Sequence, residues 1–66
     1  MFETLVIHMR HLALMHNLPA DHSLNVWADE LDRVLKDQEK DSRVVVLTWN
    51  QANGVYLNYR RQHASN

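Results

Sequence analysis

Five histidines stand in 66 residues, four of them before position 23, and they are the first side chains whose type could support chemistry. Neutral imidazole is a common ligand for transition metals and a general base near neutral pH. A metal site wants two ligands on one helical face and others converging on it. His8 and His11 meet the first condition as i,i+3 neighbours. At about 100° per residue, however, His16 lies about 80° from His8 and about 140° from His11. No carboxylate shares their turn, there is no H-E-x-x-H pattern, and no cysteine is present to complete a set. The expectation is no metal and no cofactor, with a histidine set shared across a dimer as the one arrangement left open. The lack of cysteine also removes disulfides, thiol nucleophiles and iron–sulfur ligation, and is compatible with a reducing compartment.

Nucleophilic catalysis requires a hydroxyl beside a base in a site that excludes water. The hydroxyl candidates are Thr4, Ser23, Ser42, Thr48 and Ser65. Asp21-His22-Ser23 holds the residue types of a triad, but adjacent side chains leave a helix start in different directions, and capping is the expected role. A single glycine supplies no phosphate-cradling loop. The chain is expected not to be an enzyme.

The elements that position these residues follow from apolar spacing. Phe2, Leu5, Met9, Leu12 and His16, flanked by Val6 and Ala13, recur at threes and fours and predict a helix over about 2–17. Ile7 and Leu14 fall on a second stripe, two turns apart and away from the first. Asn17-Leu18-Pro19-Ala20-Asp21 punctuates the chain. Leu24, Trp27, Ala28, Leu31, Val34 and Leu35 then predict a second helix over about 22–39, its other face charged and its start capped by Asp21 or Ser23.

From position 43 the segment RVVVLTWNQANGVYLNYRR is rich in β-branched and aromatic residues and contains Asn53-Gly54, a strong tight-turn dipeptide. It predicts a β-hairpin over about 43–61, with strands near 43–49 and 55–61. The competing reading is a third helix over 43–62, disfavoured by three consecutive valines. Val44, Val46, Thr48, Val55, Leu57 and Tyr59 would pack on the helices, and Val45, Leu47, Trp49 and Tyr56 would face outward with Asn58 and Arg60. The expected fold is α+β, two antiparallel helices followed by a β-hairpin, in one domain over 1–66.

Charge is uneven. Residues 1–20 are neutral; residues 21–41 set seven acids against Arg33, Lys36 and Lys40; residues 42–66 carry only Arg43, Arg60 and Arg61. An acidic centre with a mildly basic end differs from the broad basic footprint of a nucleic-acid binder. The longest apolar run, Val44–Leu47, is far short of the roughly 20 residues that span a bilayer. With Glu3, His8, Arg10 and His11 breaking up the N-terminal apolar runs, no signal peptide is expected, and the chain is expected in the cytoplasm.

A chain this short buries only about 60% of its unfolded surface, so a second subunit is expected and a homodimer is the predicted state. Surplus apolar residues, Ile7 and Leu14 on the first helix and Val45, Leu47, Trp49 and Tyr56 on the outer hairpin face, are the predicted partner-binding residues. The function expected is that of a non-enzymatic protein-binding module, one that inhibits or regulates a partner by stoichiometric binding. Size and lack of catalytic parts suit a phage or mobile-element accessory protein. The alternative is a small DNA-binding regulator that uses the hairpin and the C-terminal arginines.

Overall fold

The computed structural model describes residues 2–64 and contains three helices, with no strand among the described residues. Helix α1 spans Glu3–Met15, α2 spans Ser23–Lys36 and α3 spans Ser42–Gln62. The α+β expectation and its hairpin are overturned: residues 43–61 lie within one helix.

The reason is a spacing that alternation conceals. Val45, Trp49, Ala52, Tyr56 and Tyr59 are separated by four, three, four and three residues, the period of an apolar helical stripe. Val45, Ala52 and Tyr59 are buried, with Trp49 and Tyr56 half-buried between them. In a strand, Val44 and Val46 would share a face opposite Val45. In the helix each is rotated about 100° from it, so Val45 is 5% exposed while Val44 and Val46 are both 47% exposed. Leu57, expected to pack inward, is likewise exposed. Gly54 forms no turn: it sits on the far side of α3, with nothing within 4 Å of where a Cβ would stand.

The helix ends are built from side chains and backbone in specific ways. Asn17 takes the left-handed conformation, φ 55°, which asparagine tolerates better than most residues. The N–H of Asn17 donates to the Leu14 carbonyl and that of Leu18 to the Ala13 carbonyl, the paired bonds that close a Schellman motif. The start of α2 is capped by neither Asp21 nor Ser23 but by His22, whose Nδ1 accepts the Leu24 N–H at 3.1 Å. Helix α2 stops at Lys36, short of the expected position 39, because Asp37 turns extended and its carboxylate accepts the Glu39 N–H at 3.0 Å. Asp41 caps α3, accepting from the Arg43 N–H at 2.8 Å.

Helix α2 lies between the other two. Met9, Leu24, Ala28, Leu31 and Ala52 are fully buried, and among the described residues no charged or purely polar side chain is buried with them. The alanines allow close approach of α2 and α3. Large rings instead separate α1 from α3: Phe2 meets Trp49 edge-on at 6.2 Å, His8 lies 6.4 Å from Tyr56, and His16 meets Tyr59 at 5.3 Å. Since both numbers rise together, α1 and α3 run parallel. Both run antiparallel to α2, as the contacts of Arg10 with Asp29 and of His22 with Tyr59 require. The molecule is elongated, 42 × 20 × 19 Å. No helix is long and apolar enough to cross a membrane among the described residues.

Candidate functional site

The six residues expected to bind a partner separate into two groups. Val45, Trp49 and Tyr56 come together, but on the inner side of α3, where they pack toward α1 and α2. Leu47, Ile7 and Leu14 reach solvent, 68%, 63% and 78% exposed. Ile7 and Leu14 stand on the side of α1 turned from the core. Leu47 stands on the far side of α3, so these three residues do not form one patch.

Between α1 and α3 the side chains form a seam with an open outer edge. Trp49 and Tyr56 provide its floor, and the Arg60 guanidinium lies over the Tyr56 ring at 5.5 Å. Beside His8 on α1 run Thr4, His11 and Met15, spaced four, three and four residues along one exposed strip. Beside Trp49 and Arg60 on α3 run Val46, Asn53 and Leu57. Neither strip holds a carboxylate, and α3 contains no acid from Ser42 to Gln62.

The acids gather instead on α2. Arg10 crosses from α1 to Asp29 at 2.9 Å and to Asp32 at 3.6 Å, and Lys36 reaches Asp32 at 3.0 Å. The hydrogen bond from Lys36, then the charge of Arg10, holds the Asp32 carboxyl below its ordinary range, as Arg33 does for Glu30. The hydrogen bond to Asp29 raises Arg10. The pairs of Lys36 and Arg33 lie within α2, and the contacts of Arg10 are those that link α1 to α2; being largely exposed, each adds little to stability.

A feature the residue types alone did not reveal sits at the other end of the bundle, where three imidazoles surround Tyr59. Its hydroxyl is 3.0 Å from His16 Nδ1, its ring stacks on His63 at 4.0 Å, and His22 stands edge-on at 5.4 Å. His63 Nδ1 donates to the Tyr59 carbonyl at 3.0 Å, and the His22 Nδ1 is engaged by Leu24. Tyr59 and His63 are i,i+4 neighbours and would have been legible together had α3 been read as a helix; His16, 43 positions away, would not. A recess of about 380 Å³ opens beside Tyr59, lined by His22, Ser23, Asn58 and Gln62 among others. The ring nitrogens His22 Nδ1 and His63 Nδ1 face backbone groups, and the described residues contain no group of three or more His, Asp or Glu positioned to hold a metal. His8 and His11 stay exposed on α1. Of the hydroxyl candidates, Ser23 begins α2 and Ser42 begins α3; Ser65 lies outside the described residues.

Comparison with protein-family models, with curated proteins and with solved structures gives no match.

Proposed function

We propose that the chain is a non-enzymatic protein-binding module that acts in the cytoplasm and inhibits or regulates a partner protein by stoichiometric binding. The observation that carries this reading is the outer stripe of α1. Ile7 and Leu14, seven residues apart and both more than 60% exposed, lie on one line of a helix whose other apolar face is already committed to the core. A partner helix or sheet that covers this line gains apolar contact without disturbing the bundle. Trp49 and Tyr56, which sequence patterning places at the partner surface, contribute instead to the α1–α3 seam.

The test is capture from a lysate of the source organism. Wild-type protein should retain a polypeptide in near 1:1 ratio, and Ile7→Asp/Leu14→Asp should lose it while keeping its helical circular dichroism. Retention of nothing, or of the same polypeptide by both forms, would contradict the reading.

One observation favours a second reading, binding to DNA. Helix α3 has no acid, and Arg43, Asn50, Asn58 and Arg61 all face solvent, residue types that contact phosphates and base edges. Arg61 and Asn58 are already bonded to each other at 2.6 Å. A salt series separates the two readings: electrostatic DNA binding weakens steeply between 50 and 200 mM salt, roughly a thousandfold or more for six phosphate contacts, whereas an apolar interface hardly responds.

A further inference from the structure

We propose that the open groove between α1 and α3 is covered by the same groove of a second copy of this chain, in a two-fold dimer whose seam helices run antiparallel across the interface. Four observations converge on that occupant. First, the chain exposes 4922 Å², where a folded monomer of its 7.8 kDa would expose about 4,400 Å². The excess leaves apolar surface that a second copy can cover.

Second, the rims are apolar enough to gain from cover. Met15 on α1 is 65% exposed, and Val46 and Leu57 on α3 are 47% and 52% exposed. Beside the N-terminal ends of α1 and α3 lies a recess of about 340 Å³ lined by Phe2, Leu35, Val45 and Val46 together with Lys40 and Ser42, with room for a side chain from another molecule.

Third, the charge layout suits self-association. A two-fold axis through the groove sends the acidic α2 faces of both copies outward, where Asp29, Glu30 and Asp32 are already paired with Arg10, Arg33 and Lys36. No carboxylate on either rim would be buried. The permanent cation of the α3 strip, Arg60, is stacked on Tyr56 near the C-terminal end of α3, so the antiparallel arrangement keeps the two copies of it on opposite sides of the axis.

Fourth, α1 and α3 are parallel, which aligns their dipoles side by side. The two antiparallel helices of a second copy bring opposite ends against them. Burial of acidic α2 in a neighbour's groove would instead be a head-to-tail contact that does not close.

Sedimentation equilibrium at tens of micromolar should give twice the 7.8 kDa chain mass. The rim variant Val46→Asp/Leu57→Asp should sediment as a monomer with its helical signal retained, a rise of at least tenfold in the dissociation constant. The outer-stripe variant Ile7→Asp/Leu14→Asp should remain dimeric. A wild-type monomer, or a dimer that survives the rim variant and is lost with the outer-stripe variant, would overturn the proposal. Should the rim variant unfold, a second measurement decides. The chain has no cysteine, so a nitroxide on Asn50→Cys has one attachment point. Mixed with isotope-labelled wild-type chain, it should broaden the amide signals of α1 and α3 across the interface. Broadening confined to α2, or none, would overturn the arrangement.

Discussion

The Tyr59 hydroxyl is held by a histidine 43 residues away, and that bond, with the edge-on contacts of the His16 ring to Tyr59 and His63, ties the end of α1 to the end of α3. Tyr59→Phe keeps the ring and removes the bond, and should lower stability by about 1 kcal/mol in a denaturant titration. Tyr59→Ala removes the stacking partner of His63 and leaves a cavity, and should cost about 3–5 kcal/mol. If Tyr59→Phe costs nothing, the bond to His16 does not support the bundle; if Tyr59→Ala costs no more than Tyr59→Phe, the packing of the buried ring does not. At the opposite charge extreme, Asp32 links Lys36 and Arg10. Its folded carboxyl titrates below its ordinary value of 3.8. The stability it contributes is therefore present above that value and is lost as pH falls through the lower folded one. Melting curves of wild type and Asp32→Asn should differ at pH 6 and converge as the pH falls below about 4; a gap that persists at pH 2 would assign the loss to something other than charge.

The elements differ in how openly the sequence displays them. In α1 and α2 the apolar residues recur at threes and fours against charged or polar neighbours, so period and face are both visible. In α3 the buried stripe is hidden, because its non-stripe positions hold Val44, Val46, Leu47 and Leu57, and no acid marks a polar side. β-propensity and the Asn53-Gly54 pair then outvote a heptad spacing made of Val, Trp, Ala and Tyr. The cap on α2 was illegible for another reason: histidine is not among the usual capping residues, and its role here depends on Nδ1 accepting from Leu24. The consequence for the candidate site is that Trp49 belongs to the fold. Trp49→Ala, half-buried against Phe2, should lower stability by about 3 kcal/mol and reduce the helical signal on heating, not merely abolish partner binding. The cap on α3 is a cleaner element-level probe: Asp41→Ala should cost about 1 kcal/mol.

At the scale of the molecule, three helices place all their fully buried side chains around α2 and leave the outer edges of α1 and α3 apolar. A domain of this size is stable by about 3–10 kcal/mol at the usual 0.05–0.15 kcal/mol per residue. Loss of one central side chain is therefore a large fraction of the total. Leu31→Ala, at a position with no exposure, should cost about 2–5 kcal/mol and bring the chain close to unfolding. The same arithmetic explains why an extra contact, to a second copy across the seam or to a partner on the Ile7–Leu14 stripe, would matter so much to this chain. The seam exists only because residues 42–62 form a continuous helix; a hairpin would dismantle it and place Trp49 and Tyr56 elsewhere.

That dependence makes Gly54→Ala the most direct test. Gly54 lies on the solvent side of α3, away from the seam, and a Cβ there meets nothing within 4 Å. In a helix interior, alanine is favoured over glycine by about 1 kcal/mol. For a domain of this size that corresponds to a rise in melting temperature of about 4–8 °C. In a hairpin, the same residue would occupy the turn position that needs positive φ, and alanine there would be destabilising. Thermal unfolding of Gly54→Ala beside wild type should therefore show a higher melting temperature. A lower one would contradict the three-helix account and the α1–α3 seam built on it.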